Sequence, residues 1–90
     1  MNYKSAKQLK DAGFPQPKYF TAGNYYEKNE EMIFIPTLSK LIEECYKLEQ
    51  DFELSKVRGR KWTACTLFKD GKGKTPEEAV AKLWLKYEQK

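Results

Sequence analysis

The chain has no histidine, only two arginines (Arg58 and Arg60) and only two cysteines (Cys45 and Cys65). Without histidine there is no Ser-His or Cys-His nucleophile pair and no imidazole ligand for a metal. Two cysteines without a C-x-x-C spacing leave a metal site incomplete. No secretory hydrophobic stretch follows Met1, so both read as reduced core thiols rather than a disulfide. No apolar run approaches the ~20 residues that cross a bilayer, and no membrane partner is expected. Together these absences point away from an enzyme, a resident metal or a cofactor.

What is present suits one small domain spanning residues 1–90. Hydrophobic residues make up 40% and charged residues 33%, enough apolar material for a core inside a polar shell. Thirteen aromatics argue against disorder and can fill a small core efficiently. The net charge is +4, carried by fifteen lysines beside the two arginines. Lysine is a hydrated point charge and arginine the better phosphate fork, so the balance favours a solvated surface over a dedicated nucleic-acid coat.

Periodicity and breakers predict the order α-β-β-α-β-β-α. Residues 3–12 form a short helix with Ala6 and Leu9 on its apolar stripe, stopped at Gly13 and followed by Pro15 and Pro17. Phe14 is expected to pack just past its end. Residues 18–36 read as a hairpin of strand-prone Tyr19, Phe20, Thr21, Tyr25 and Tyr26 against residues 32–35. Turns are available at Gly23-Asn24 and, preferred, at residues 28–30. Thr37 caps a second helix whose inner stripe is Leu38, Leu41, Ile42, Cys45, Tyr46 and Leu48 or Glu49, with Glu43 and Lys47 as an i,i+4 pair. Residues 51–70 return to strand. Phe52 and Leu54 alternate with polar neighbours, Arg58-Gly59-Arg60 makes the turn, and Trp62, Ala64, Thr66 and Phe68 share a face. Residues 70–74 read as a loop. Thr75, Pro76 and Glu78 then spell a helix start, with Ala79, Val80, Leu83, Trp84 and Tyr87 facing inward and Lys82, Lys86 and Lys90 in solvent. Hairpins without crossovers imply an α+β fold, a small antiparallel sheet packed by two main helices and a short N-terminal one.

Gly73-Lys74-Thr75 mimics the end of a phosphate-binding loop. The full motif needs a glycine at position 68, where Phe68 stands, and helix-start chemistry already explains Thr75. Glu30-Glu31, Glu43-Glu44 and Glu77-Glu78 are sequence neighbours, which do not converge into an acid–base dyad on a helix. Tyr3, Tyr19, Tyr25, Tyr26 and Tyr87 could line a groove, though core packing with a wet hydroxyl is the commoner fate. The densest charge lies at Lys56, Arg58, Arg60 and Lys61, on a hairpin tip beside Trp62. This tip is the candidate contact for an acidic partner or nucleic acid, with Lys72 and Lys74 in reserve. Trp62 either stacks a base or fills the core, and its alternation with Ala64 favours the core.

Four stretches, Leu9-Lys-Asp-Ala-Gly-Phe-Pro-Gln16, Pro36-Thr-Leu-Ser-Lys-Leu-Ile-Glu-Glu-Cys45, Trp62-x-Ala64 and Thr75-Pro-Glu-Glu-Ala-Val-Ala-Lys-Leu-Trp-Leu85, resemble a group of short phage- and prophage-encoded proteins of unassigned activity. The resemblance implies a mobile-element origin and a cytoplasmic site of action in a bacterial host. A looser likeness to HicB-type antitoxins rests on a small sheet followed by a helix with a T-x-E-E-A start, and concerns topology alone. The expected function is therefore a small non-enzymatic accessory protein that binds a host macromolecule, a host protein foremost, and inhibits a bacterial defence system. The alternative is a protein that binds nucleic acid, or sequesters a nucleotide, through the basic tip. Nucleotide capture requires a pocket lined by both aromatics and Lys or Arg. A homodimer is compatible with either.

Overall fold

The computed structural model describes residues 1–19 and 24–88. The elements run α1 (Tyr3–Asp11), β1 (Tyr25–Lys28), β2 (Glu31–Phe34), α2 (Leu38–Leu48), β3 (Glu53–Lys56), β4 (Trp62–Cys65), β5 (Asp70–Gly73) and α3 (Pro76–Glu88). The α+β class matches the sequence reading, with one strand more than expected. The two hairpins belong to separate antiparallel sheets, β1-β2 and β3-β4-β5. Phe20, Thr21, Gly23 and Lys90, named in the sequence reading, lie outside the described residues.

Local chemistry explains the helix ends. The Asn2 side chain accepts the Ser5 N–H at 2.8 Å to open α1. Gly13, at φ +93°, closes it, as Phe14 N–H reaches back to the Leu9 carbonyl at 2.9 Å. Phe14 is thereby delivered edge-on to Trp84, with ring centroids 5.0 Å apart. Thr37 caps α2 by accepting the Lys40 N–H at 3.2 Å. Thr75 accepts the Glu78 N–H at 3.2 Å, while the Glu78 carboxylate takes the N–H of Lys74 at 3.3 Å. The cap reaches one residue further back than the reciprocal box that Thr75 and Glu78 imply.

The core is organised around α3. Ala79, Val80, Ala81, Leu83, Trp84 and Leu85 are all buried, because α3 packs on β4 and β5, on α2 and on α1. Leu9, Phe14, Leu41, Cys45 and Ala64 complete the buried cluster. The β1-β2 hairpin turns at Asn29 and Glu30, both at positive φ, within the preferred site. Ile33 is buried, and Lys10 and Lys7 tie α1 to Glu31 at 2.7 and 3.1 Å. These two ammonium groups, Lys10 first, hold the Glu31 carboxyl below its ordinary pKa.

Several side chains depart from expectation. Residues 70–74 include a strand, because Gly71 and Gly73 let the backbone lie directly on α3. A Cβ at Gly71 would fall 2.5 Å from the Ala79 carbonyl oxygen, and one at Gly73 would fall 2.6 Å from the Glu78 Cβ. The alternation from Trp62 ends at Cys65, since the Thr66 hydroxyl accepts the N–H groups of Phe68 and Lys69, both at 3.2 Å, and turns the chain. Phe68 therefore points outward, 74% exposed, instead of sharing the inner face. Tyr46 and Leu48 sit at the exposed edge of α2. Lys47 bonds to the buried Glu44 at 2.8 Å, not to Glu43. Burial pushes the Glu44 carboxyl up, but Lys47 and Lys40 outweigh it and leave its pKa lowered. Cys45 is a buried core thiol, and burial raises its pKa to about 12. Cys65, by contrast, is half-buried on the sheet face away from α3.

Candidate functional site

The register of the three-stranded sheet sorts the basic residues by face. Leu54, Ala64 and Gly71 form one cross-strand row, and Lys56, Trp62 and Gly73 another. Both rows face α3, with Ala64, Gly71 and Gly73 buried. Side chains alternate along a strand, so the rows between them face outward. One outer row is Ser55, Thr63 and Lys72, and the other is Glu53, Cys65 and Asp70.

Arg60, Lys61, Thr63 and Lys72 line one concavity of about 360 Å³, together with Val57 and Gly59. Gly59 adopts φ +79°, so the β3-β4 turn needs a residue free of a Cβ at that point. The turn is closed by the Arg60 N–H on the Val57 carbonyl at 2.9 Å. This arrangement sets Arg60 and Lys61 beside the end of β4, where Thr63 and Lys72 face each other across β4 and β5. Neither a carboxylate nor an aromatic ring lines the concavity.

Three of the six candidate cations thus come together, and three do not. Lys56 lies on the opposite face, with its ammonium 5.9 Å from the Trp62 ring centre. Arg58 is exposed at the turn outside the lining, and Lys74 is exposed at the approach to α3. Trp62 packs against the core beneath Lys56, turned from the concavity. Thr63 is the member that composition does not reveal. Its signal is its place between Trp62 and Ala64, which sends it outward once those two face in.

Charge pairing divides the lysines into two sets, and outside this region Lys4, Lys18, Lys28, Lys69 and Lys82 also form no ion pair among the described residues. Lys7, Lys10, Lys40, Lys47 and Lys86 each bond to a carboxylate at 3.5 Å or less. Among the described residues, none of the six candidate cations forms such a pair. The concavity therefore keeps three uncompensated positive charges close together.

No family model, curated protein or solved structure matches this chain.

Other chemistry finds less support among the described residues. No group of three His, Cys, Asp or Glu residues is placed to hold a metal ion. No helix is long and apolar enough to cross a membrane. Four of the candidate tyrosines are spread over the fold: Tyr26 bonds through its hydroxyl to the Met1 carbonyl and meets Tyr3 edge-on, Tyr87 bonds to Thr66, and Tyr19 stands exposed.

Proposed function

We propose that this chain is a small non-enzymatic binding protein that holds a nucleic acid by its phosphates on the outer face of the three-stranded sheet. The observation that carries the reading is the concavity of Arg60, Lys61, Thr63 and Lys72, three unpaired cations and a hydroxyl with no carboxylate among them. Clustered cations lacking internal partners release counterions when they meet phosphates, the main source of affinity in such contacts. Nucleotide sequestration fits less well, because no aromatic ring lines the concavity to hold a base. In the phage-type setting that the resemblance implies, the ligand is met inside a bacterial host.

The test is fluorescence anisotropy of a labelled oligonucleotide against rising salt. Three phosphate contacts predict a log–log slope of about two to three. Joint charge reversal, Arg60→Glu with Lys72→Glu, is expected to weaken binding by well over about tenfold. Binding that ignores both salt and these two residues would sink the reading.

A second reading, capture of a host protein as an anti-defence factor, is favoured by Leu67 and Phe68. These large apolar side chains are 77% and 74% exposed side by side. Loss of a defence-inhibition phenotype in a Leu67→Ser, Phe68→Ser double variant, with nucleic-acid binding intact, would support it over the first.

A further inference from the structure

We propose that the phosphodiester chain crosses the strands along the row of Ser55, Thr63 and Lys72, is read through its backbone alone, and is kept off the other half of the same face by Glu53. This rests on the nucleic-acid reading and specifies how the ligand lies and what it is read by.

The outer face is divided in charge. Ser55, Thr63 and Lys72 offer two hydroxyls and an ammonium across three strands, with Arg60 and Lys61 beside them at the turn. The next outward row presents the exposed carboxylates of Glu53 and Asp70 on either side of Cys65, Asp70 paired with Lys86 at 3.5 Å and Glu53 in no ion pair among the described residues. Same-face rows are two residues apart along a strand, a separation of about 7 Å. That is shorter than the screening length of about 8 Å at physiological ionic strength, so the unpaired Glu53 carboxylate repels a phosphate held on the basic row. A chain running along the strands would meet those carboxylates, whereas one running across them stays over hydroxyls and cations. The divided face therefore sets the direction of the ligand as well as its location.

The same geometry excludes base stacking. Trp62 is the aromatic nearest the tip in sequence, and it lies in the row facing α3, paired with Lys56 and packed on the core. What remains at the concavity are donors suited to phosphate oxygens, which position a ligand without carrying sequence information. Thr63 is central: it is half-buried between its cross-strand neighbours, and its hydroxyl has no hydrogen-bond partner among the described residues. It presents a donor held by the strand scaffold rather than by a long flexible arm.

The experiment measures binding of labelled homopolymeric and mixed DNA and RNA strands of about 20 nucleotides, each across a salt series. Backbone reading predicts affinities within about threefold among base compositions, and DNA and RNA arms show whether the sugar matters. Thr63→Val removes the hydroxyl at constant shape and should weaken binding about tenfold with the salt slope unchanged, and Thr63→Ser should restore it. Lys72→Gln should lower the slope by about one. Glu53→Gln should strengthen binding about two- to threefold at low salt, an effect that fades as salt rises. Trp62→Leu, which removes the ring, should change the affinity of the folded protein by less than about twofold, against the roughly tenfold or greater loss that removal of a stacking platform gives. Strong preference among homopolymers together with a large Trp62→Leu loss would overturn backbone reading. A Glu53→Gln variant that binds no better than the parent chain at low salt would overturn the proposed direction. If the parent chain binds none of the strands, the function reading falls and takes this inference with it. If it binds and the variants disagree, only this inference falls.

Discussion

The two turns of the three-stranded sheet use the same residue type in opposite ways. At the β4-β5 turn, lysine is internal hardware. Lys69 donates to the Lys86 carbonyl at 2.9 Å and lies 5.1 Å from the Tyr87 ring centre, while Lys86 bonds back to the Asp70 carbonyl. The Thr66 hydroxyl gathers two backbone N–H groups and the Tyr87 hydroxyl. At the β3-β4 turn, one backbone bond closes the loop, and its cations stay out of ion pairs with the described carboxylates. A charged side chain's role is therefore read from its partners and not from local charge density. Where the fold uses its lysines, they stabilise it, and where it leaves them unpaired, they are available to a ligand.

The sharpest break lies on β5, which pairs with β4, the strand that both turns share. Gly71→Ala places a Cβ against the α3 backbone at Ala79 and Leu83, so β5 and α3 must separate. Overpacking of this kind should cost about 3 kcal/mol, seen as a lowered denaturation midpoint, with affinity lost only as folded protein is lost. Next in size is Thr66→Val, which unties the braced turn. A loss of about 1.5 kcal/mol is expected by chemical denaturation, with nucleic-acid affinity unchanged, because Thr66 lies at the far end of β4 from the concavity.

The smallest effect concerns the paired lysines elsewhere. The Glu31 and Glu44 carboxyls titrate below their ordinary value of 4.5 in the folded chain. The folded state thus holds these protons less tightly than the unfolded one. Their contribution is full above about pH 4.5 and is lost as pH falls through the lowered values. Conversely, Lys7 and Lys47 are raised above 10.5, and their share is lost only at higher pH. Glu44→Gln should flatten the acid limb of a stability–pH profile by about 0.5 kcal/mol, a size set by solvent screening of the lysines. Lys72→Gln should leave that limb unchanged. A shifted limb in the Lys72 variant would blur the line between structural and available lysines.

These outcomes also mark what was legible in the sequence. The helices were, because Gly13, Thr37 and Thr75 are local signals whose chemistry acts within one turn. The turns at Asn29-Glu30 and Gly59 were legible for the same reason. β5 was not, since glycine favours neither strand nor helix, and the cause of this strand is the surface of α3, distant in the chain. That omission hid the site. Lys72 faces Thr63 only through β5, so the tip was visible as a run of charge and the concavity was not. Phe68 went astray because a period of two cannot announce where a strand stops. Thr66, the residue that stops it, looks like any other strand threonine until its hydroxyl turns to the backbone.

The most direct measurement reverses equal charge at each end of the sheet and compares binding at one salt concentration. The two double variants are Arg60→Glu with Lys72→Glu and Lys69→Glu with Lys86→Glu, which change net charge identically. The account predicts that the first loses nucleic-acid affinity by well over about tenfold while keeping its melting temperature. The second should melt earlier and, when folded, bind within about threefold of the parent chain. Equal loss of affinity in both would show that binding follows net charge and not the face built by Arg60, Thr63 and Lys72, and would contradict the account.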